Sequence, residues 1–382
     1  HIAVEAGPWA IRHFVESPDG SRFLQSFKTF AASPSFRSTN VHGKSFRFED
    51  LLATFLAKVA DHADAADRPL PRRLIAGRPV AFAGAAPDPA LAETRYDTAF
   101  AAAGFDEIHY VYEPVAAAFW FAQGLTRDAT VLVADFGGGT SDFSVVRFTV
   151  GADGVRAHPL SQSGVGIAGD GFDYRIIDKV VSPKLGKYSR YKSWDKWLDV
   201  PAHWFTNFAR WNQLAVMKSP ETIRELEKLA ASADDPQGLE KLIEMIEDDL
   251  GWPLYKAVSE VKAALSHAEA AELSFHHGTI HIDATVRRAD FESWITDDLA
   301  RIDEAVDAAI VASGVSPREI DKVFLTGGTS FVPAVRRLFV SRFGEDRIET
   351  GEQLLSIAYG LALIGAEEDL ERWTVREAPR AA

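Results

Sequence analysis

Apolar positions in this chain form runs of three kinds, and each predicts a different element. Val131-Leu132-Val133-Ala134 is continuously apolar and ends in Asp135-Phe136, whereas Ser141-Asp142-Phe143-Ser144-Val145-Val146 alternates. The first predicts a buried strand and the second its antiparallel partner. Phe48, Leu51, Leu52, Phe55, Leu56 and Val59 recur at helical spacing and predict an amphipathic helix over 48–66. Arg73–Phe82 reads as a strand entering a loop, and 90–103 as an alanine-rich helix stopped by Gly104. Ile108–Tyr112 is a further predicted strand, and Pro114 suits the first turn of a helix running to Gln123. Glu113 therefore sits at a strand-to-helix junction, where it serves either a site or the helix N-terminus.

The second half is richer in helix. A glycine-rich turn, Gly164–Asp173, leads to a predicted helix at Tyr174–Val181. Trp194, Trp197, Trp204 and Trp211 are spaced three, seven and seven apart, which places them near one helical face, more in the manner of core than of a ligand box. Two acidic amphipathic helices over 219–250 break at Asp235-Pro236-Gln237-Gly238, with Ser219 capping the first. A helix over Trp252–Ala271 carries Glu260, Lys262 and Ser266. Short strands follow at Leu273–Phe275, Thr279–Ile282 and Ala284–Arg287, then a helix over Phe291–Ser313. His276, His277 and His281 lie among those strands with no carboxylate at ligand spacing, so no metal site is expected there. Val323–Thr326 predicts a strand, Gly327-Gly328 a turn, and the residues from Pro333 a helix through Phe339. Leu354–Leu363 closes the pattern as a helix, and the tail from about Glu367 is charged and expected to be loose.

Composition narrows the class. The chain has 382 residues, 47% hydrophobic and 25% charged, as in globular proteins with two or three domains. A net charge of −14 argues against nucleic acid or an anionic membrane as a partner. The chain holds no cysteine, which removes disulfides, thiolate metal sites and cysteine nucleophiles and fits a cytoplasmic setting. No apolar run approaches the roughly 20 residues of a membrane span. No signal peptide is visible, although residue 1 is His rather than Met.

Chemistry concentrates at the predicted hairpin. Gly137-Gly138-Gly139 at its turn carry no Cβ, so backbone N–H groups can close on a ligand. Asp135 ends the first strand and points into the same space. An anion cradle beside a carboxylate suits a metal-bound nucleotide phosphate. The turn is neither a dinucleotide fingerprint, since a strand follows instead of a helix, nor a P-loop, since no Lys-Ser/Thr follows the glycines. A tight glycine hairpin without a ligand is the competing reading.

Four stretches together are more specific: Tyr112–Ala118, Asp135–Asp142, Ala168–Asp173 and Leu325–Pro333. Through them the chain resembles the nucleotide-binding domain of DnaK-type (seventy-kilodalton heat-shock) chaperones, of the actin and sugar-kinase ATPase superfamily. Ala76–Phe82 and the tryptophan-rich insert look closest to the shorter YegD-type branch. The resemblance implies an α/β, actin-like ATPase fold of two lobes, each with a mixed five-stranded sheet flanked by helices. Residues 1–126 would form lobe I and 127–367 lobe II, with a mostly helical insert at about 174–299 and a charged tail at 368–382.

ATP or ADP with Mg²⁺ would lie between the lobes. By resemblance, Asp135 holds hydrated Mg²⁺, and Gly137, Gly138, Gly139 and Thr140 wrap the β- and γ-phosphates. Glu113 contacts the metal's water shell or the attacking water, which Lys28 orients. Gly169, Gly327 and Gly328 approach ribose and phosphates, Lys262 and Ser266 contact adenosine, and Phe331 falls where the family stacks an arginine on adenine. Ser259 stands where the family places an acid, with Glu260 one position on. The family's first phosphate loop, an N-terminal Asp-x-Gly-Thr hairpin, has no counterpart in the sequence, which predicts an incomplete lobe I. No peptide-binding domain is expected to follow the closing helix.

Three functions compete. The first is an ATP-binding, DnaK-like chaperone or ATPase acting as a nucleotide-dependent switch, with protein clients or co-chaperones as partners. The second is a non-hydrolysing interaction module that uses the tryptophan-rich insert. The third is a small-molecule kinase, for which the sequence shows no catalytic carboxylate facing a sugar pocket.

Overall fold

The computed structural model describes residues 4–16, 21–24, 27–63, 71–83, 86–151, 154–210, 214, 217–350 and 355–376. The first part runs α1 (Gly7–Glu16), β1 (Thr39–Val41), β2 (Lys44–Phe46), α2 (Phe48–His62), β3 (Arg73–Arg78), α3 (Pro89–Ala102), β4 (Glu107–Tyr112) and α4 (Glu113–Ala122). Asp88 starts α3 by accepting the Leu91 N–H at 3.1 Å, with Pro89 in the first turn. β3 and β4 pair in parallel, with Arg73 opposite Glu107 and Arg78 opposite Tyr112. Among the described residues this part shows that two-stranded sheet and the small β1–β2 hairpin, not the five strands expected. Phe48, Phe82, Tyr96 and Tyr110 bury against one another beside the two-stranded sheet.

The second part builds the main sheet from β5 (Ala129–Phe136), β6 (Ser141–Gly151) and β7 (Gly154–Val165), followed by α5 (Gly169–Ile176). Next come a hairpin of β8 (Arg190–Ser193) and β9 (Lys196–Asp199), then α6 (His203–Phe208), α7 (Pro220–Ala230), α8 (Pro236–Glu247) and α9 (Gly251–Ala264). A second hairpin, β10 (Ala270–His277) and β11 (Ile280–Arg287), leads into α10 (Arg288–Trp294) and α11 (Thr296–Ser313). β12 (Lys322–Thr326), α12 (Pro333–Phe343), β13 (Ile348–Thr350) and α13 (Ser356–Gly365) complete the order.

The five strands lie in the order β13-β12-β5-β6-β7. β12 is parallel to both β13 and β5, while β5, β6 and β7 form an antiparallel meander, so the sheet is mixed. All eight residues of β5 are buried, which explains its continuous apolar run. Leu132, Ala134 and Phe136 enter the larger core with Phe143 and Phe339. Val131 and Val133 face the other way, against α4 and Phe324. α4 thereby links β4 to the main sheet, and α13 crosses it closely. A Cβ on Gly360 would lie 1.8 Å from the Ala116 carbonyl oxygen, so only glycine permits that crossing.

Several local expectations are corrected. α5 begins at Gly169, not Tyr174, because the glycines form its first turn. The three strands expected between 273 and 287 are two strands of eight residues paired over their full length. The helix expected over Phe291–Ser313 breaks at Ile295, between α10 and α11. The tryptophans share no helical face. Trp194 occupies the β8–β9 turn and Trp197 lies on β9, while Trp204 is buried on α6. Trp211 falls outside the described residues. Pairing decides this segment: Lys192 N–H donates to the Ser232 carbonyl at 2.8 Å and holds β8 extended.

The charged tail is anchored as far as residue 376. Trp373 is 4% exposed and packs edge-on against Phe119. Val375 N–H donates to the Tyr110 carbonyl at 2.8 Å, and Arg376 pairs with Glu93 and Asp97. Residues 377–382 lie outside the described set.

Candidate functional site

Asp135 is carried by β5 to the end of the sheet, opposite Asp142 on β6. Between them the turn is closed by Gly137 N–H donating to the Thr140 carbonyl at 2.9 Å. α5 grips this turn from below. Its Asp170 N–H donates to the Gly138 carbonyl at 2.8 Å, and Gly169 N–H to that of Gly137 at 3.4 Å. β12 ends beside β5, where Gly327 has φ +83° and a Cβ would lie 2.0 Å from the Phe136 carbonyl oxygen. No side chain fits there, so the three glycine turns meet in space.

They face a cleft of about 960 Å³, a size suited to a nucleotide-sized ligand. Asp135, Gly137, Gly138, Gly169, Gly327 and Gly328 line one wall. Lys262 and Ser266, on and just beyond α9, line a second with Trp252 and Tyr255, and Phe331, 51% exposed, borders it. Lys28 and Glu113 line the cleft as well, near enough for both to act on the Asp135 carboxyl. Lys28 stands on a 3₁₀ turn, Phe27–Phe30, and donates to Glu113 Oε1 at 2.5 Å. Glu113 opens α4 directly after β4, and Gly77 on β3 makes room for it: a Cβ there would lie 3.2 Å from Glu113 Cγ.

Two residues expected at the phosphates contact other parts of the chain. Gly139 and Thr140 are not among the cleft-lining residues. Gly139 faces Thr29 and Ala83 of the first part, and the Thr140 hydroxyl is engaged with Asp142. The tip of the turn thus touches the first part of the chain. Asp142 serves the same contact, accepting the N–H groups of Val80 at 2.7 Å and Ala81 at 3.2 Å.

Charge is the site's dominant feature. Burial, with Glu113 and Asp142 close by, pushes the Asp135 carboxyl up to about 8. Burial and Glu113 raise Asp142 to about 7, against hydrogen bonds from Thr140, Ala81 and Val80. Asp173 is raised by burial to about 6, moderated by Lys262, which donates to it at 2.8 Å and to the Gly169 carbonyl at 3.1 Å. Burial works against the Lys28 charge, but Glu113, Tyr96 and Asp142 outweigh it and hold the ammonium above its usual value. An all-oxygen, carboxylate-rich wall with an unneutralised acid fits a hard divalent cation.

Sequence reasoning assigned no role to Asp142 or Asp173, though both border glycine turns it did identify. It also found no carboxylate at ligand spacing from the histidines and expected no metal site there. The structure brings Glu244 and Asp248 to His277, with one ligand atom of each within 4.8 Å of the others. Glu244 there already accepts the N–H and hydroxyl of Thr279, and Asp248 pairs with His277 at 3.3 Å. Among the described residues no helix is long and apolar enough to cross a membrane.

The sequence model of the Hsp70 protein family matches residues 32–191 and 241–368. The DnaK chaperone protein of Deinococcus proteolyticus is 28% identical over 68% of this chain and 34% of its own length. The chloroplastic stromal 70 kDa heat shock-related protein of Pisum sativum is 27% identical over 84% of this chain and 38% of its own. The DnaK chaperone protein of Thermosipho melanesiensis is 26% identical over 70% and 37% respectively. The chain therefore spans little more than a third of the length of these relatives.

Proposed function

Because the chain belongs to the Hsp70 family, we propose that its cleft binds ATP and ADP with Mg²⁺ and works as a nucleotide-dependent conformational switch. The observation that carries this reading is the convergence of three glycine turns on one cleft beside Asp135, a buried acid pushed up to about 8. Backbone N–H groups of the turns receive phosphate oxygens, and Asp135 takes the cation through water. Mg²⁺ bound there supplies charge neutralisation for the transferring phosphoryl group.

The chain's own residues supply position. Glu113 fixes Lys28 by a direct hydrogen bond, and Lys28 orients the attacking water. Lys262 and Ser266 hold the adenosine side, with Phe331 available to stack. A nucleotide drawn both to the glycine turns and to Lys28 and Glu113 closes the cleft, and its release opens it. Protein clients or co-chaperones, read from the relatives' names, are the partners this switch would serve, in a cytoplasmic setting.

Isothermal titration of Mg-ADP and Mg-ATP, followed by phosphate release, tests the proposal. Heat with both nucleotides and release lost in Asp135→Asn is the expected outcome. Heat without release makes the protein a non-hydrolysing module. No heat with either nucleotide overturns the reading.

A further inference from the structure

The β8–β9 hairpin lies outside the nucleotide cleft and has three features that the cleft does not explain. The first is charge. Between residue 184 and the end of β9 at 199 stand five cations, Lys184, Lys187, Arg190, Lys192 and Lys196, against Asp195 and Asp199, in a chain of net charge −14. Arg190 pairs with Asp234 and Lys187 with Asp178, whereas Lys192 and Lys196 have no ion pair among the described residues.

The second is aromatic exposure held at a conformational cost. Trp194 is 95% exposed at φ +56° and Tyr188 70% exposed at φ +78°. Bulky residues in the left-handed region are outliers, and such strain persists where a side chain must be presented. Cations accompany the exposed rings: Lys187 Nζ lies 4.9 Å from the Tyr188 centroid and Arg190 Cζ 5.8 Å from that of Trp197.

The third is an open strand edge. β8 is covered on its inner side, where Ser232–Asp234 exchange backbone bonds with Arg190 and Lys192. β9 is the outer strand of a two-stranded sheet, and all four of its residues are exposed. Val200 N–H donates inward to the Ser189 carbonyl at 3.0 Å. By the alternation of an antiparallel ladder, Trp197 and Asp199 turn their N–H and C=O outward. Natural proteins cover or charge such edges, and here the charge is one that selects its partner.

We propose that β9 is a docking edge for an extended acidic peptide of a partner protein. The peptide adds as a third strand, bonding the outward N–H and C=O groups of Trp197 and Asp199. Its carboxylates meet Lys192 on one face and Lys196 on the other, and its apolar side chains pack on Trp197 and Leu198. Nucleic acid would use the cations and rings but not the strand edge, and the rest of the chain repels it.

The test uses nucleotide-free protein, so its outcome is independent of the cleft. A fluorescein-labelled peptide of repeating Val-Val-Glu-Glu, about ten residues long, is titrated by anisotropy. Parallel arms use the valine–lysine peptide, the valine–glutamate peptide N-methylated at alternate residues, oligodeoxythymidine, and phosphatidylserine vesicles. The acidic peptide is expected to bind, and more weakly as salt rises. N-methylation, Trp197→Ala, and the pair Lys192→Glu with Lys196→Glu should each weaken binding roughly tenfold or more, with circular dichroism unchanged. The proposal is overturned if the acidic peptide does not bind, if N-methylation or the charge reversals leave affinity unchanged, or if only the oligonucleotide or the vesicles bind.

Discussion

Replacing Asp135 by Asn should stabilise the ligand-free protein, although it removes the acid proposed to take the cation. Asp135 is 5% exposed and its carboxyl is pushed from 3.8 up to about 8, by burial first and then by Glu113 and Asp142. A group raised in the folded state favours folding most when protonated in both states, below about pH 4. That contribution is lost as pH rises toward about 8. Four pKa units at ~1.4 kcal/mol each set an upper limit of about 6 kcal/mol. Asp142, raised to about 7 by the same surroundings, titrates jointly with Asp135, so roughly half, about 3 kcal/mol, is assigned to the substitution.

For a chain of 382 residues the unfolding entropy is about 0.8 kcal/mol per kelvin, which converts that gain to ~4 °C. Calorimetry with EDTA and no nucleotide should show Asp135→Asn melting about 4 °C above the parent at pH 8, and by about a quarter of that at pH 5. Mg-ADP at a thousand times its Kd should reverse the order, since the parent gains about 4.1 kcal/mol from binding that the variant lacks. A ligand-free variant that melts below the parent at pH 8, or a gap equal at both pH values, refutes the electrostatic account of the site.

Lys28→Met should slow phosphate release by about 100-fold while ADP affinity stays within roughly threefold, because Lys28 is assigned to orienting the attacking water; an equal loss in both would make it a binding residue. Gly360→Ala drives a Cβ to 1.8 Å from the Ala116 carbonyl, and should cost about 3 kcal/mol, a fall of ~4 °C in melting temperature. Lys262→Met strips the buried Asp173 of its cation. It should destabilise by about 3 kcal/mol at pH 8 and by less at pH 5, where Asp173, already raised to about 6, is mostly protonated; denaturant midpoints at the two pH values check the sign. The same variant should bind Mg-ADP more weakly by isothermal titration.

Local pattern made much of the framework legible. The apolar run at 131–134 and the alternation at 141–146 are β5 and β6 because burial on both faces and antiparallel pairing write themselves into side-chain polarity. Ser219 and Asp235 start α7 and α8 as capping chemistry predicts, accepting N–H groups at 3.1 and 3.0 Å. The tryptophan segment misled because a spacing of three and seven also fits a strand, a turn and a separate short helix. Only the backbone bonds from Arg190 and Lys192 to 232–234 decide between them. The tail misled because a charged composition hides Trp373, whose pocket is made by Phe119, some 250 residues earlier in the chain.

By itself the sequence determined which residues could be a phosphate cradle, the glycines at 137–139, 169 and 327–328; at Gly327 glycine is strictly required, since a Cβ there would strike the Phe136 carbonyl. It also determined the acid at the end of β5. Tertiary structure alone decided which of these line the cleft. Gly139 and Thr140 turn into the contact between the halves, and Lys28 meets Glu113 across 85 positions of chain. It alone decided the carboxyls' protonation as well, because desolvation and the nearness of Glu113, Asp135 and Asp142 are properties of assembled space. Spacing along a chain carries backbone requirements; electric fields depend on distances that only folding sets.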